Sequence, residues 1–268
     1  MNIAFVWYWD RASKFMPKWR DGLRSAMEIV GKKHDVDWFL DKEIPQKKYD
    51  FLLFWDDSNS EMFNHLDLGE RKGICLSTFP TNVDNIKKLD VVFCESQPIY
   101  DFVRAQGVRA IKAFGTDTEF FSPSKATKTL DFFYPATFSP WKRQSEIAYL
   151  GKQLLCVGTL QPDGQDELDA CKEMGVQLKI GYFSPKKIRD YYRSAKNVII
   201  PAVHGSERTV LEAMSTNILP IIVHPEENTR ANSYLEEYGN SPYDNPRDFV
   251  LNNYSHFIYA DQLLKGIE

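Results

Sequence analysis

The chain has 268 residues, of which 43% are hydrophobic and 14% aromatic, and its 33 basic and 37 acidic residues leave a formal net charge of −4. This composition can build one large or two small hydrophobic cores, which excludes an intrinsically disordered protein. The near balance of charge argues against a dedicated nucleic-acid surface.

The cysteines and the N-terminal residues bear on the compartment. The four cysteines include no CxxC pair, which favours a reducing compartment and argues against a zinc site. Residues 1–10 lack the basic leader and the long apolar core of a signal peptide. No apolar run approaches the ~20 residues that span a bilayer. We therefore expect a soluble, cytoplasmic protein with no transmembrane segment.

Short apolar runs alternate with helical patterns through the first half of the chain. The predicted strands are 2–7, 36–40, 51–55, 74–77 and 91–95, and the predicted helices include 17–30 and 99–106. Alternation of this kind predicts a doubly wound parallel sheet. No G-x-G-x-x-G follows the first strand, so a dinucleotide-type phosphate loop is not expected there.

The second half repeats this pattern after a polar, aperiodic stretch at 124–129, which we interpret as a linker. Its first predicted strands are 130–134, 154–158 and 176–180. The region 197–223 then places a turn and an amphipathic helix between two apolar runs, which is typical of a buried parallel βαβ unit. In such sheets a ligand binds beyond the carboxyl ends of the strands, here at 204–209. The helix N-terminus at this point suits a phosphate.

Two sequence motifs resemble those of one known family. The run Gly205-Ser-Glu-Arg-Thr-Val-Leu-Glu-Ala-Met214, followed by a Pro and an apolar strand, resembles the donor-binding motif of family-4 retaining glycosyltransferases of the GT-B fold. The stretch 111–123 resembles the Gly-Val-Asp-x-x-x-Phe-x-Pro segment that ends the first domain in that family, with Gly115, Asp117, Phe121 and Pro123 in register. The presence of both motifs in the family's order strengthens the resemblance.

The resemblance implies roles for the residues around the helix start. Glu212 matches the Glu that holds the ribose hydroxyls of the nucleotide, and His204 stands where the family has a carboxylate for the donor sugar. The loop residues that would complete the donor site are Gly205, Ser206, Glu207, Arg208 and Thr209. From the residues alone, Thr209-Val-Leu-Glu212 is also a capping box, in which Glu212 returns to the first amide of the helix. His204, equally, could be a loop histidine without a ligand. Both alternatives stay open.

A second turn supplies the cations of the donor site by resemblance. In the family an Arg and, five residues later, a Lys neutralise the donor diphosphate. Lys142 matches the Lys, Thr137 occupies the position of the Arg, and the adjacent Arg143 is the candidate substitute. Lys142 and His204 are therefore the residues that we expect to act in catalysis.

Aromatic and acidic residues at other predicted strand ends complete the candidate site. Tyr182 and Phe183 lie where the family places the nucleotide base, and they either stack on it or only pack. The candidate acceptor-side residues follow strands of the first half of the chain and are Asp10, Arg11, Asp56 and Asp57. Asp56 and Asp57 could instead cap the following helix. The basic residues at 14–24 form either a solvated helix face or a surface for an anionic or lipid-linked acceptor.

The resemblance implies an α/β protein of the GT-B fold, with two Rossmann-like, doubly wound parallel-sheet domains facing a cleft. An N-terminal acceptor-binding domain would span 1–124, and a C-terminal nucleotide-sugar-binding domain would span 125–242. A helical tail at 243–268 would cross back to the first domain.

The implied activity is retaining transfer of a hexosyl group from a UDP- or GDP-linked sugar to a hydroxyl of a sugar, lipid-linked or protein-glycan acceptor. No metal and no cofactor is expected, because Lys142, Arg143 and helix amides would neutralise the leaving diphosphate. Two alternatives stay open. One is a sugar-nucleotide-binding protein without transfer activity, which the residues at 137 and 204 favour, and the other is a GT-B-fold sugar-nucleotide epimerase. No nucleic-acid partner is expected.

Overall fold

The structure is a computed structural model that describes residues 1–8, 22–57 and 60–268. It divides into two compact units, one formed by residues 1–115 together with 254–268 and the other by residues 116–253. The division falls before the predicted linker because the preceding segment packs within the second unit. There, the Phe121 ring lies edge-on to the Tyr192 ring, with centroids 5.9 Å apart.

The first unit is built on a six-stranded sheet with the order β2-β1-β3-β4-β5-β6, in which all neighbouring strands are parallel. Its strands are β1 (Asn2–Trp7), β2 (Asp35–Leu40), β3 (Tyr49–Trp55), β4 (Gly69–Leu76), β5 (Val91–Cys94) and β6 (Ala110–Lys112). Its helical segments are α1 (Gly22–Val30), a 3₁₀ segment (Ser60–Leu68), α2 (Val83–Ile86) and α3 (Gln97–Ala105). The order reverses direction at β1 and β3, which is the doubly wound arrangement that the alternating pattern predicted.

The second unit contains a five-stranded parallel sheet with the order β11-β10-β7-β8-β9. Its strands are β7 (Leu130–Pro135), β8 (Leu154–Gly158), β9 (Gln177–Ile180), β10 (Ala195–Ile200) and β11 (Ile221–Ile222). Its helices are α4 (Gln165–Glu173), α5 (Pro185–Ser194), α6 (Glu207–Ser215), α7 (Thr229–Gly239) and α8 (Pro246–Asn253), with 3₁₀ segments at Pro140–Lys142 and Gln144–Gln153. The central strands carry the most buried side chains, because helices cover both faces of a parallel sheet.

The last predicted strand differs from the expectation of a run buried on both faces. Only Ile221 and Ile222 pair with a neighbour, at the edge of the second sheet. Leu219, Ile221 and Val223 are 51%, 44% and 37% exposed. An edge strand has a neighbour on one side only, so an apolar run does not by itself establish that a strand is central.

The C-terminal residues form two helices, α8 and α9 (His256–Ile267), and α9 belongs to the first unit. It packs against α1 and the strands β4–β6. Gly266 permits this close approach, since a Cβ there would lie 2.4 Å from Cζ of Phe93. The Arg71 guanidinium donates hydrogen bonds to the carbonyl oxygens of Gly266 (3.0 Å) and Ile267 (2.6 Å), so it satisfies the last turn of the helix.

Candidate functional site

Two loops meet at the carboxyl ends of β7 and β10, which are neighbouring strands in the second sheet. The backbone N–H of Val203 donates to the carbonyl oxygen of Trp141 at 3.1 Å. The rings of Trp141 and His204 stack, with centroids 5.9 Å apart and an interplanar angle of 13°. This hydrogen bond and this aromatic contact help to hold the loop of residues 136–143 against the loop that precedes α6.

Lys142 joins the two loops through its side chain. Its Nζ donates to the carbonyl oxygen of His204 at 3.3 Å and to Oγ of Ser206 at 3.2 Å. Gly205 leaves room for this amine, because a Cβ at that position would lie 2.9 Å from Nζ. Gly205 also has a φ of +72°, which a glycine adopts without steric cost. The structure thus brings together Lys142, His204, Gly205 and Ser206.

The charges behind this loop lower the pKa values of two of its residues. The pKa of Lys142 is lowered to about 8, mainly by burial of its ammonium, while Glu207 raises the pKa and Arg230 lowers it. Burial, followed by repulsion from Lys142 and Arg230, lowers the pKa of His204 as well. Both groups hold a proton less readily chiefly because they are buried, and a bound anion would favour their protonated forms.

The start of α6 lies directly after this loop. Ser206 is the N-cap residue in a left-handed conformation (φ 77°), and its carbonyl oxygen accepts from the N–H of Val210 at 3.0 Å. Thr209 is therefore the third residue of the helix, and the structure excludes the capping box in which it would be the N-cap. Because Gly205 and Ser206 form a left-handed turn, the helix begins at Glu207, which is earlier than the capping-box pattern suggests. The unpaired N–H groups and dipole of the first turn are suited to an anion.

A buried ion pair supports the loop from behind. Nε of Arg230 lies 3.1 Å from Oε1 of Glu207, and both side chains are more than nine-tenths buried. Nδ2 of Asn228 donates to the carbonyl oxygens of Ala202 (2.9 Å) and Gly205 (3.0 Å). The sequence analysis identified neither Asn228 nor Arg230. An N-cap pattern before α7 could have revealed Asn228, but no local pattern links Arg230 to its distant partner.

Glu212 lies further along α6, and only 8% of its surface is exposed. Its electrostatic neighbour is the fully buried Tyr192 of α5. Burial first, and then the charge of Glu212, raises the pKa of the Tyr192 hydroxyl, whereas Thr209 and Arg208 lower it. Glu212, Thr209 and Arg208 thus all act on one buried phenol.

Arg143 and Thr137, the two positions considered for the second cation, have other partners. Arg143 has a left-handed backbone (φ 49°), and its guanidinium lies 3.2 Å from Glu227 and 3.3 Å from Glu146. Oγ1 of Thr137 donates to the carbonyl oxygen of Thr159 at 2.8 Å. None of these three interactions involves Lys142.

The two candidate base-stacking residues follow β9, the opposite edge strand of the same sheet. Tyr182 is 73% exposed, and Phe183 is half-buried. Gly181 precedes them with a φ of +130°. In the strand order, β9 is two places from β7, the strand that leads to Lys142.

The acceptor-side candidates belong to the first unit. Asp56, with a φ of 60°, accepts from Oγ of Ser77 at 2.6 Å, and Asp57 accepts from Oγ1 of Thr81 at 3.0 Å. Asp57 is 3% exposed, and burial raises the pKa of its carboxyl group. Both aspartates therefore organise the loop after β4. Asp10 and Arg11 lie outside the described residues.

One group of side chains in the described part of the chain could hold a metal ion. His224, Glu226 and Glu227 present ligand atoms within 4.8 Å of one another. However, Arg143 already pairs with Glu227 and with Glu146, and His224 hydrogen-bonds to Glu146. We therefore interpret this group as a salt-bridge network in which the guanidinium supplies the positive charge.

No protein-family model and no curated protein sequence matches the chain. Solved structures do match: AviGT4, a glycosyltransferase involved in avilamycin A biosynthesis, has a TM-score of 0.70 at 12% identity, over 100% of this chain and 97% of that one. The fold is GT-B. An α-glucosyltransferase in complex with UDP and a 13-mer DNA has a TM-score of 0.60 at 11% identity, over 100% and 99% of the two chains. The trehalose-6-phosphate synthase OtsA has a TM-score of 0.60 at 9% identity, over 92% and 75%. The α/β fold class inferred from the sequence is confirmed.

Proposed function

We propose that the protein is a retaining glycosyltransferase that moves a hexosyl group from a nucleoside-diphosphate sugar to a hydroxyl acceptor. The observation that carries this proposal is the position of Lys142, whose Nζ hydrogen-bonds to the loop at the start of α6. A cation beside helix-terminal amides suits a diphosphate. The GT-B structures that this chain resembles are glycosyltransferases, one of them bound to UDP, which supports a UDP- or GDP-linked donor.

In this proposal the chain itself stabilises the leaving diphosphate. Lys142 and the first amides of α6 neutralise its developing charge, which makes a metal ion unnecessary. Glu212 accepts hydrogen bonds from the ribose hydroxyls, and His204 contacts the donor sugar. The incoming hydroxyl attacks from the face of the leaving group, and the departing phosphate accepts its proton. The donor's anomeric bond breaks as the new glycosidic bond forms, so no separate base is required.

The acceptor is expected to be a hydroxyl of a sugar, a lipid-linked sugar or a protein glycan. Asp56 is the first-unit carboxylate we favour for orienting such a hydroxyl, because Asp57 is buried against the loop that contains Thr81. Among the described residues, no helix is long and apolar enough to cross a bilayer.

A protein that binds sugar nucleotides without transferring the sugar is the second candidate. Two residues favour it. His204 replaces an expected carboxylate, and Thr137, which hydrogen-bonds to Thr159, stands where the resembled family has an Arg. An epimerase of the same fold remains a third outcome, and it would change the sugar without any acceptor.

A thermal-shift screen over UDP-, GDP-, ADP- and dTDP-linked sugars tests the proposal. A donor at ~100 times its dissociation constant adds about 2.7 kcal/mol to the free energy of unfolding. Lys142→Ala should lose most of the resulting rise in melting temperature. If no sugar nucleotide raises the melting temperature of the parent protein, the proposed function is wrong. Analysis of the sugar after incubation with the best donor separates transfer, epimerisation and binding alone.

A further inference from the structure

A nucleoside diphosphate brings at least two negative charges, and Lys142 supplies only one positive charge. The position that carries an Arg in the resembled family holds Thr137, whose hydroxyl donates to Thr159. Arg143, the neighbouring substitute, pairs with two glutamates of its own surroundings, Glu146 and Glu227. Arg208, in the first turn of α6, acts on the buried Tyr192 hydroxyl, so a second cation for the diphosphate would come from elsewhere in the fold.

Arg230 is the cation that α7 places behind the loop. The residue two positions earlier, Asn228, donates to the carbonyl oxygen of Gly205 at 3.0 Å, so the start of α7 is tied to the loop that Lys142 contacts. Nε of Arg230 lies 3.1 Å from Oε1 of Glu207, the first residue of α6. The guanidinium thus has a fixed position next to the first turn of that helix.

Three charged side chains interact behind the loop. Lys142 and Arg230 are two cations, and Glu207 is a carboxylate that acts on both of them. Burial lowers the pKa of Lys142 most, Glu207 raises it and Arg230 lowers it, and the same guanidinium lowers the pKa of His204. The charge of Arg230 therefore acts on both Lys142 and His204. An incoming anion would therefore be attracted by Arg230 as well as by Lys142.

We propose that Arg230 is the second cation of the diphosphate site, held in place by Glu207 behind the Gly205–Ser206 turn. The inference rests on the proposed function and assigns the residue that replaces the missing Arg. Lys142 and the α6 amides contact the phosphates, and Arg230 adds its charge from the second layer. It is therefore a positioning and electrostatic residue, and its effect depends on charge rather than on shape.

Inorganic pyrophosphate is the probe for this charge, because it carries the diphosphate without a base or a sugar. Calorimetric titration at pH 7 would compare Arg230→Gln, Arg230→Lys and the parent, with Arg143→Gln as the matched control. We expect Arg230→Gln to weaken pyrophosphate binding by roughly 10–100-fold, the range for a lost interaction with a charged group. Arg230→Lys and Arg143→Gln should stay within about threefold, the latter because exposed ion pairs contribute little.

The pH dependence separates charge from structural support. In the parent, pyrophosphate affinity should begin to fall as Lys142 loses its proton near pH 8. Removing the repelling guanidinium raises the pKa of Lys142, so the difference in pyrophosphate affinity between Arg230→Gln and the parent should become smaller above pH 8. Glu207→Gln removes a carboxylate that raises the pKa of Lys142. The pyrophosphate affinity of this variant should therefore begin to fall at a lower pH than that of the parent. Ratios to the parent at each pH cancel the ionisation of the probe.

Three results would overturn the inference. The first is parent-like pyrophosphate binding by Arg230→Gln. The second is a loss of pyrophosphate affinity, relative to the parent, that is the same at every pH and is equally large for Arg230→Gln and Arg230→Lys. If Arg230→Gln does not fold, the double variant Arg230→Gln/Glu207→Gln removes both buried charges, and parent-like binding by this variant is the third. Absence of pyrophosphate and sugar-nucleotide binding by the parent would instead show that the proposed function itself is wrong.

Discussion

Single side chains decide how much positive charge the loop before α6 can offer to a ligand. Lys142 has its pKa lowered to about 8, so it remains protonated near neutral pH but is held close to its titration range. His204 has a lowered pKa for a related reason, since burial and then the charges of Lys142 and Arg230 act on it. Binding of an anion stabilises the protonated forms, which links ligand affinity to pH.

Glu212 has two possible roles, and one substitution distinguishes them. If its carboxylate holds the ribose, Glu212→Gln should weaken nucleotide binding by about 1–3 kcal/mol, because a charge-assisted hydrogen bond is lost. The melting temperature without ligand should move little, since the amide keeps the volume and polarity of the side chain. Calorimetric titration with the best nucleotide and a thermal melt measure the two effects.

Tyr192→Phe is the control for this experiment, because Tyr192 is the buried neighbour of Glu212. It removes the hydroxyl group and should leave nucleotide affinity unchanged. A large loss of ligand-free stability in Glu212→Gln, together with unchanged affinity, would mean that Glu212 only supports the contact with Tyr192.

His204 should affect the sugar nucleotide more than the bare nucleotide. Its free pKa lies below the usual value of about 6.5, and a bound diphosphate should raise it. Affinity for the sugar nucleotide should therefore fall as pH rises from the free pKa of His204 through its raised pKa in the complex. It should fall again above pH 8 as Lys142 deprotonates. His204→Ala should remove the lower step and keep the upper one. Equal losses of affinity for sugar nucleotide and nucleotide, with both pH steps retained, would contradict a contact with the sugar.

At the scale of elements, the turn between β10 and α6 determines the geometry of the site. Gly205 and Ser206 both have left-handed backbones, and Lys142 occupies the space where a side chain at Gly205 would project. Local sequence patterns predicted a turn and a helix here but started the capped helix at Thr209. They could not predict the stack of Trp141 on His204, because that contact joins loops from two strands.

Gly205→Ala tests the geometry of this turn. An alanine at φ +72° should lower the free energy of unfolding by about 1–2 kcal/mol. Its Cβ would also displace the amine of Lys142, so affinity for the nucleotide diphosphate should fall. Gly239→Ala is the control, since nothing lies within 4 Å of its Cβ position at the end of α7. Chemical denaturation and nucleotide titration of both variants measure the difference, and equal behaviour of the two would refute this account of the turn.

At the scale of the whole molecule, regular apolar runs made the architecture predictable. Buried strands such as β3 and β8 are continuous apolar segments, and their alternation with helices predicted two parallel sheets. The three-residue strand β6 was too short for such a signal, and the apolar run at β11 gave no indication that the strand lies at an edge. Lys142 was found by resemblance. Arg230 was not found, because its pairing with Glu207 depends on the tertiary fold alone.

The most direct test of sugar transfer at the Lys142 loop is the release of nucleoside diphosphate from the best-binding sugar nucleotide in excess EDTA. We expect the parent rate to stay within about a factor of two of its rate without the chelator. Lys142→Ala should be slower by roughly 10²–10³, the cost of removing one preorganised charge-stabilising group. Loss of the parent activity in EDTA with recovery on adding Mg²⁺ or Mn²⁺, or a Lys142→Ala variant as fast as the parent, would contradict the mechanism.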